Sequence, residues 1–144
     1  MLLIFGLWWS YFKSSPVGVL YTSNRASFLW GYGHFAVFAP IAALGAGLQV
    51  AAESAQPGAQ VDPTAAAFLV AVPVVVYVVV LGLLHRLTDR RPLALWPIGV
   101  AVALLLAAAA AARVVSLAGS VLLMGVIASL LVANYVYRLG RVQR

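Results

Sequence analysis

The chain has 144 residues, of which 65% are hydrophobic and only 8% charged, with a net charge of +6 and a mean hydropathy of +1.05. Soluble domains carry roughly 25% charged residues to cover their surface, so this composition excludes a water-soluble globule and calls for lipid as the solvent. The absence of cysteine excludes disulfide scaffolds, cysteine-type zinc centres, thiol nucleophiles and cysteine-ligated iron–sulfur clusters. The nine basic residues are scattered over loops and ends, which reads as a topology signal and not as a nucleic-acid patch.

The first element, "MLLIFGLWWSYFK", is apolar but only about half a span long, since a crossing helix needs about 20 residues. No basic residue precedes it and no small-x-small cleavage site follows, so it is not read as a secretory leader. Trp8, Trp9, Tyr11 and Phe12 beside Lys13 look instead like the cytoplasmic end of a helix whose earlier half lies elsewhere. Four longer apolar runs follow at 27–52, 64–84, 93–112 and 117–136. The first is separated from the second by "ESAQPGAQVDP" and the second from the third by "HRLTDRRP", both rich in loop-forming residues. "RVVS" at 113–116 leaves room only for a tight turn, which makes the last two helices an antiparallel hairpin. The β-branched "VPVVVYVVV" at 72–80 would favour a strand in water, but its run is too long and uniformly apolar for an alternating barrel strand. The expected fold is an all-α, polytopic integral membrane helix bundle with four complete transmembrane helices plus a truncated N-terminal half-helix.

Charge then orients the bundle. Lys13, Arg25, Arg86, Arg90, Arg91, Arg138, Arg141 and Arg144 fall on one side, and Arg113 with Glu53 and Asp62 on the other. This bias places the C-terminus in the cytoplasm. Trp8, Trp9, Trp30, Trp96, Tyr11, Tyr135 and Tyr137 gather at the same predicted interface, giving a one-sided aromatic belt that reads as headgroup anchoring or as an aromatic pocket.

"WWSYF" at 8–12 and "YGHFAVFAPIAALGAGLQVA" at 32–51 resemble the bacterial low temperature requirement A family. Members have a Trp-Trp-x-Tyr-Phe stretch followed by a Tyr-x-His helix with glycines near its far end. Lys13 stands where members usually carry an acidic residue. The resemblance implies a multi-span membrane protein of which this chain forms the C-terminal portion. The family name describes a growth phenotype and implies little chemistry.

Within the 27–52 helix, His34, Phe38, Ile41, Gly45 and Ala52 share one face, with Gln49 and then Glu53 toward its edge. Ala39, Ala43, Gly47 and Ala51 recur every four residues on roughly the opposite face, with Tyr32 near that side, and this spacing suits close helix packing. Pro40 and Pro73 are expected to bend their helices. His34 lies about 10 Å into its helix, and an ionisable ring at such depth is by default functional. It is a candidate proton acceptor, a ligand for a metal or haem, or an interhelical hydrogen-bond donor. No second intramembrane histidine accompanies it, so no metal site is assigned to this chain alone.

The candidate polar site is therefore His34, Tyr32 and Gln49, and the packing residues are Ala39, Ala43, Gly47, Gly125 and Ser129, the last two facing the Ala-rich 104–112. Asp89 balances nearby arginines, Arg113 snorkels at its turn, and Asn134 acts as a cap or as interhelical glue. No nucleophile elbow, zinc-protease or phosphate-loop motif is present, and no enzymatic activity, cofactor or metal is assigned. The expected partners are the lipid bilayer and other transmembrane helices, from a missing N-terminal half or a second copy, and not nucleic acid. The expected function is transport or permeation of a small solute or ion; the alternative is a non-transporting membrane assembly or scaffold module.

Overall fold

The computed structural model describes residues 1–13, 24–88 and 96–142. Asp89, Arg90, Arg91 and Arg144 lie outside the described residues, as do the side chains of Lys13, Arg25, Trp30, His85, Tyr135, Tyr137, Arg138 and Arg141. The described residues form six helices: α1 (Leu2–Lys13), α2 (Asn24–Ser54), α3 (Pro63–Thr88), α4 (Trp96–Ala110), α5 (Ala112–Val115) and α6 (Leu117–Val142). The Val-rich run is helical throughout, because in an apolar setting a helix satisfies every backbone group within its own segment.

Two of these helices, over Gly31–Ser54 and Pro63–Leu84, are long and apolar enough to cross a membrane. Leu2–Phe12, Trp96–Ala110 and Leu117–Leu131 are shorter apolar segments. The expected span over 93–112 is interrupted: α4 stops at Ala110, Ala111 breaks the helix, and α5 restarts as a single turn. The 15 residues of α4 reach about 22 Å, short of a hydrocarbon core of about 30 Å.

The expected tight turn at 113–116 is helical up to Ser116, whose backbone has φ 78° and ψ 155°. That residue reverses the chain and starts α6, its hydroxyl accepting the Gly119 N–H at 3.2 Å. Helices α4 and α6 pack on each other as the hairpin requires. The two ends of this arrangement are identified by contacts. The Asp62 carboxylate meets the Arg113 guanidinium at 3.1 Å, so the 53–63 loop and the α5 turn share one end. At the other end the Leu84 side chain closes on Gly33.

Helix α3 is the centre, packing on α2, α4 and α6, and Ala66, Ala67, Val70, Ala71 and Val74 along it are fully enclosed. Helix α2 packs on α3 through a face that alternates three- and four-residue steps: Val37, Pro40, Leu44, Gly47 and Ala51 are all buried. This face shares only its far end with the expected stripe. Gly47 and Ala51 are buried, whereas Ala39 and Ala43 are exposed. Four residues turn a helix by about 400°, so a strict four-residue repeat drifts about 40° per step and cannot stay against one neighbour.

Gly47 lies directly against the Leu69 carbonyl of α3, where a Cβ would collide with backbone. That carbonyl is exposed by the sequence itself, because the residue four positions on is Pro73, which has no N–H to donate. Both α2 and α3 remain helical through Pro40 and Pro73.

Gly125 and Ser129 also pack closely, but against α1 and not against the Ala-rich helix. A Cβ on Gly125 would stand 3.2 Å from the Leu3 nitrogen, and one on Gly6 would stand 3.3 Å from the Ser129 hydroxyl. Helix α4 instead meets its neighbours through Ala101, Leu105, Ala108 and Ala109. The short first helix is therefore an integral member of the bundle, held on α6 by two reciprocal glycine contacts.

Candidate functional site

The polar groups of interest lie where α1, α2 and α3 converge. His34, half-buried on α2, turns toward α1 and meets the Tyr11 ring edge-on, with centroids 5.8 Å apart and planes at 80°. Phe38, one turn further along, lies 6.0 Å from His34 and 5.9 Å from Tyr11. The three rings bridge α1 and α2, whose backbones otherwise barely approach.

Beneath this seam is a second polar cluster. Tyr77, buried in the centre of α3, donates its hydroxyl to the Leu7 carbonyl of α1 at 2.7 Å. The Ser10 hydroxyl donates to the same carbonyl at 2.7 Å and lies 2.9 Å from the Tyr77 oxygen. A buried phenol must find a partner or lose its hydration without return, and here it finds one on a different helix. Sequence reasoning passed over Tyr77 because it stands in an unbroken valine run. Its signal was that it is the sole residue of "VPVVVYVVV" bearing a polar atom beyond the backbone.

Between α1 and α2 runs an apolar groove of about 300 Å³, floored by Leu7 and Leu44, with Trp8 and Phe12 on one side and Phe38 and Leu48 on the other. The helix face carrying His34, Phe38, Ile41 and Gly45 is the one turned to this groove. Along α1, Phe5, Trp8, Trp9 and Phe12 contact one another at 5.0–6.3 Å, with Phe5 and Trp9 stacked and the other pairs tilted.

The remaining candidates are dispersed. Tyr32 is 70% exposed and stacks on Phe28 at 4.3 Å, so it does not join His34. Gln49 is exposed near the opposite end of α2 and donates to Glu53 at 3.0 Å. Ser129 donates to the Gly125 carbonyl at 2.8 Å, satisfying itself within α6. Asn134 is exposed on the same helix. No three His, Asp or Glu converge as metal ligands among the described residues.

A family model for the bacterial low temperature requirement A protein (LtrA) matches residues 1–134. The chain belongs to that family. The match continues well beyond 8–52, the stretch whose residues carry the resemblance, and takes in α4, α5 and α6 as far as residue 134. No curated protein and no solved structure matches the chain. Membership of the LtrA family, together with the two long apolar helices, indicates a membrane-associated protein. In this LtrA chain the ring pair Tyr11–His34 joins the two stretches, 8–12 and 32–51, on which the resemblance rests.

Proposed function

We propose that this LtrA chain is a multi-pass membrane module that lets a small solute or ion cross, with His34 as its polar group. The observation that carries the reading is the position of His34, about a third of the way along a long apolar helix and facing Tyr11 across a seam where α1 and α2 do not close on each other. An imidazole in apolar surroundings can accept or donate a hydrogen bond, and an intramembrane group of this kind is by default functional. No enzymatic step is assigned to the chain.

In this arrangement α2, α3, α4 with its α5 extension, and α6 are the four crossings, α1 is a half-crossing, and the C-terminus is cytoplasmic. The exposed outer surface supports lipid as the surroundings: Phe35 is 81% exposed, and Phe28, Leu122 and Leu130 are similarly bare. The shared end of Asp62 and Arg113 supports an even number of crossings between their loops. Single cysteines at Gln56 and Gln143, labelled in intact cells with an impermeant maleimide, test this topology. Labelling is expected at Gln56→Cys and not at Gln143→Cys; the reverse pattern inverts the orientation.

Permeation is tested with the full-length protein in liposomes, scanning protons, alkali cations and small neutral solutes. His34→Ala is expected to abolish or shift the flux. Absence of flux for every solute tried would end the permeation reading.

A second reading, a non-transporting assembly module, is favoured by the free side of α2. Tyr32, Phe35, Ala39 and Ala43 all face outward there, joining large rings to small residues on one surface. In that case Ala39→Leu and Ala43→Leu reduce self-association or association with other transmembrane helices and leave any flux unchanged.

A further inference from the structure

We propose that the groove between α1 and α2 is a binding site for one acyl chain of a phospholipid, with the headgroup at the Tyr11–His34 end. This inference does not rest on the permeation reading.

Width decides the occupant. The groove follows α1 from Ile4 to Phe12 and α2 from Phe38 to Leu48, which is about 12–15 Å of helix at the standard rise. A volume of about 300 Å³ spread over that length leaves a cross-section of about 20–25 Å². A helix with its side chains is 10–12 Å across and needs about 80–110 Å², so it can only cross the open mouth and leaves the floor at Leu7 and Leu44 unfilled. Aliphatic carbons in contact sit about 4 Å apart, so a single file of methylenes needs about 15–20 Å². One extended hydrocarbon chain fills the groove; two do not.

Charge decides the direction. The groove ends at Phe12, near the end of α1. Arg86, exposed, lies at the same end of the bundle, two residues beyond Leu84, which closes on Gly33. At the opposite end the groove is lined by Ile4 and Leu48, and beyond Leu48 stand Gln49 and the acidic Glu53, which disfavour a phosphate. A phosphate is therefore favoured at the Tyr11–Phe12 end, where the His34 ring borders Tyr11 and Phe38. The chain then runs inward over Leu7 and Leu44, as a lipid of the adjoining leaflet would.

Gly45 provides the test. It lines the groove, and a Cβ built there meets nothing within 4 Å, so Gly45→Leu fills the space and raises helix propensity at once. The full chain, carrying Trp9→Phe, Trp30→Phe and Trp96→Phe so that Trp8 alone reports, is titrated in maltoside micelles with phosphatidylglycerol bearing dibrominated stearoyl chains. Saturable quenching of Trp8 at one lipid per chain is expected. Gly45→Leu loses the saturating component, while Gly99→Leu, at an equally open position away from the groove, retains it. Quenching that rises linearly without saturation overturns the proposal, as does saturation unchanged by Gly45→Leu. A chain that is dimeric without lipid and monomeric as Gly45→Leu also overturns it, assigning the groove to a second copy.

Discussion

Tyr77 and Leu7 are 70 positions apart and joined by a 2.7 Å hydrogen bond from phenol to carbonyl. This bond reaches from the central helix to the short first helix, between elements whose backbones are in little contact. Helix α1 is thus located by two independent means, glycine contacts with α6 and a buried hydroxyl from α3.

Tyr77→Phe is accordingly expected to destabilise the bundle by about 1–2 kcal/mol, the usual cost of a buried hydrogen bond whose acceptor keeps another donor. Here that donor is Ser10. Ser10→Ala is expected to cost less, and the double variant more than the sum, because the Leu7 carbonyl then loses both side-chain donors. Reversible unfolding in mixed micelles, followed by circular dichroism, measures all three. A double variant that is merely additive would show the two hydroxyls to act independently.

Gly47 and Gly45, two residues apart, should respond in opposite directions. Gly47→Ala drives a methyl into the Leu69 carbonyl and should cost about 1–3 kcal/mol as an overpacked contact. Gly45→Ala meets open space and should gain up to about 1 kcal/mol from helix propensity. The same unfolding assay reads both, and equal signs would contradict the α2–α3 contact described above.

Ser116 combines a cap with an unfavourable backbone. Its φ of 78° and ψ of 155° fall in a region occupied almost solely by glycine, at a cost of about 1–3 kcal/mol. Ser116→Ala keeps that cost and loses the bond to the Gly119 N–H, so a loss of about 1 kcal/mol is expected. Ser116→Gly loses the same bond but relieves the backbone, and is expected to stabilise the hairpin. Melting temperatures that fall equally for the two variants would remove the strain argument.

Ser120 is fully buried on α6, and its hydroxyl makes no hydrogen bond among the described residues. Ser120→Ala should therefore be neutral or stabilising by up to about 1 kcal/mol, since the lost hydroxyl was stripped of water without compensation. A destabilisation above that size in the unfolding assay would reveal a bound water or partner at this position.

Much of the helix layout was legible because apolar runs and loop residues delimit helices directly. Ser27–Ala52 and 64–84 fall inside α2 and α3, and the hairpin closes as its short connector demands. The break at Ala111 was not legible, because an unbroken row of alanines carries no punctuation. Nor was the neighbour of each face. Periodicity says which residues lie together on a helix, not which helix they meet. Gly125 and Ser129 therefore turned out to meet α1, and Ala39 and Ala43 to face outward. His34 could be singled out as an ionisable ring in apolar surroundings, but Tyr11 could not be named as the ring it faces. That contact depends on where a separate helix docks, and the docking residue, Tyr77, is hidden in a valine run.

Gly47, Leu69 and Pro73 form a unit whose parts lose their purpose when separated. Proline at 73 strips a carbonyl of its usual donor, and glycine at 47 lets a second backbone cover it. Restoring an amide at 73 would re-engage that oxygen within α3 and remove the polar reason for the close approach. Substitutions tolerated at 47 thus depend on the residue at 73. Across relatives these two sites are expected to vary together, a dependence that neither helix would show on its own.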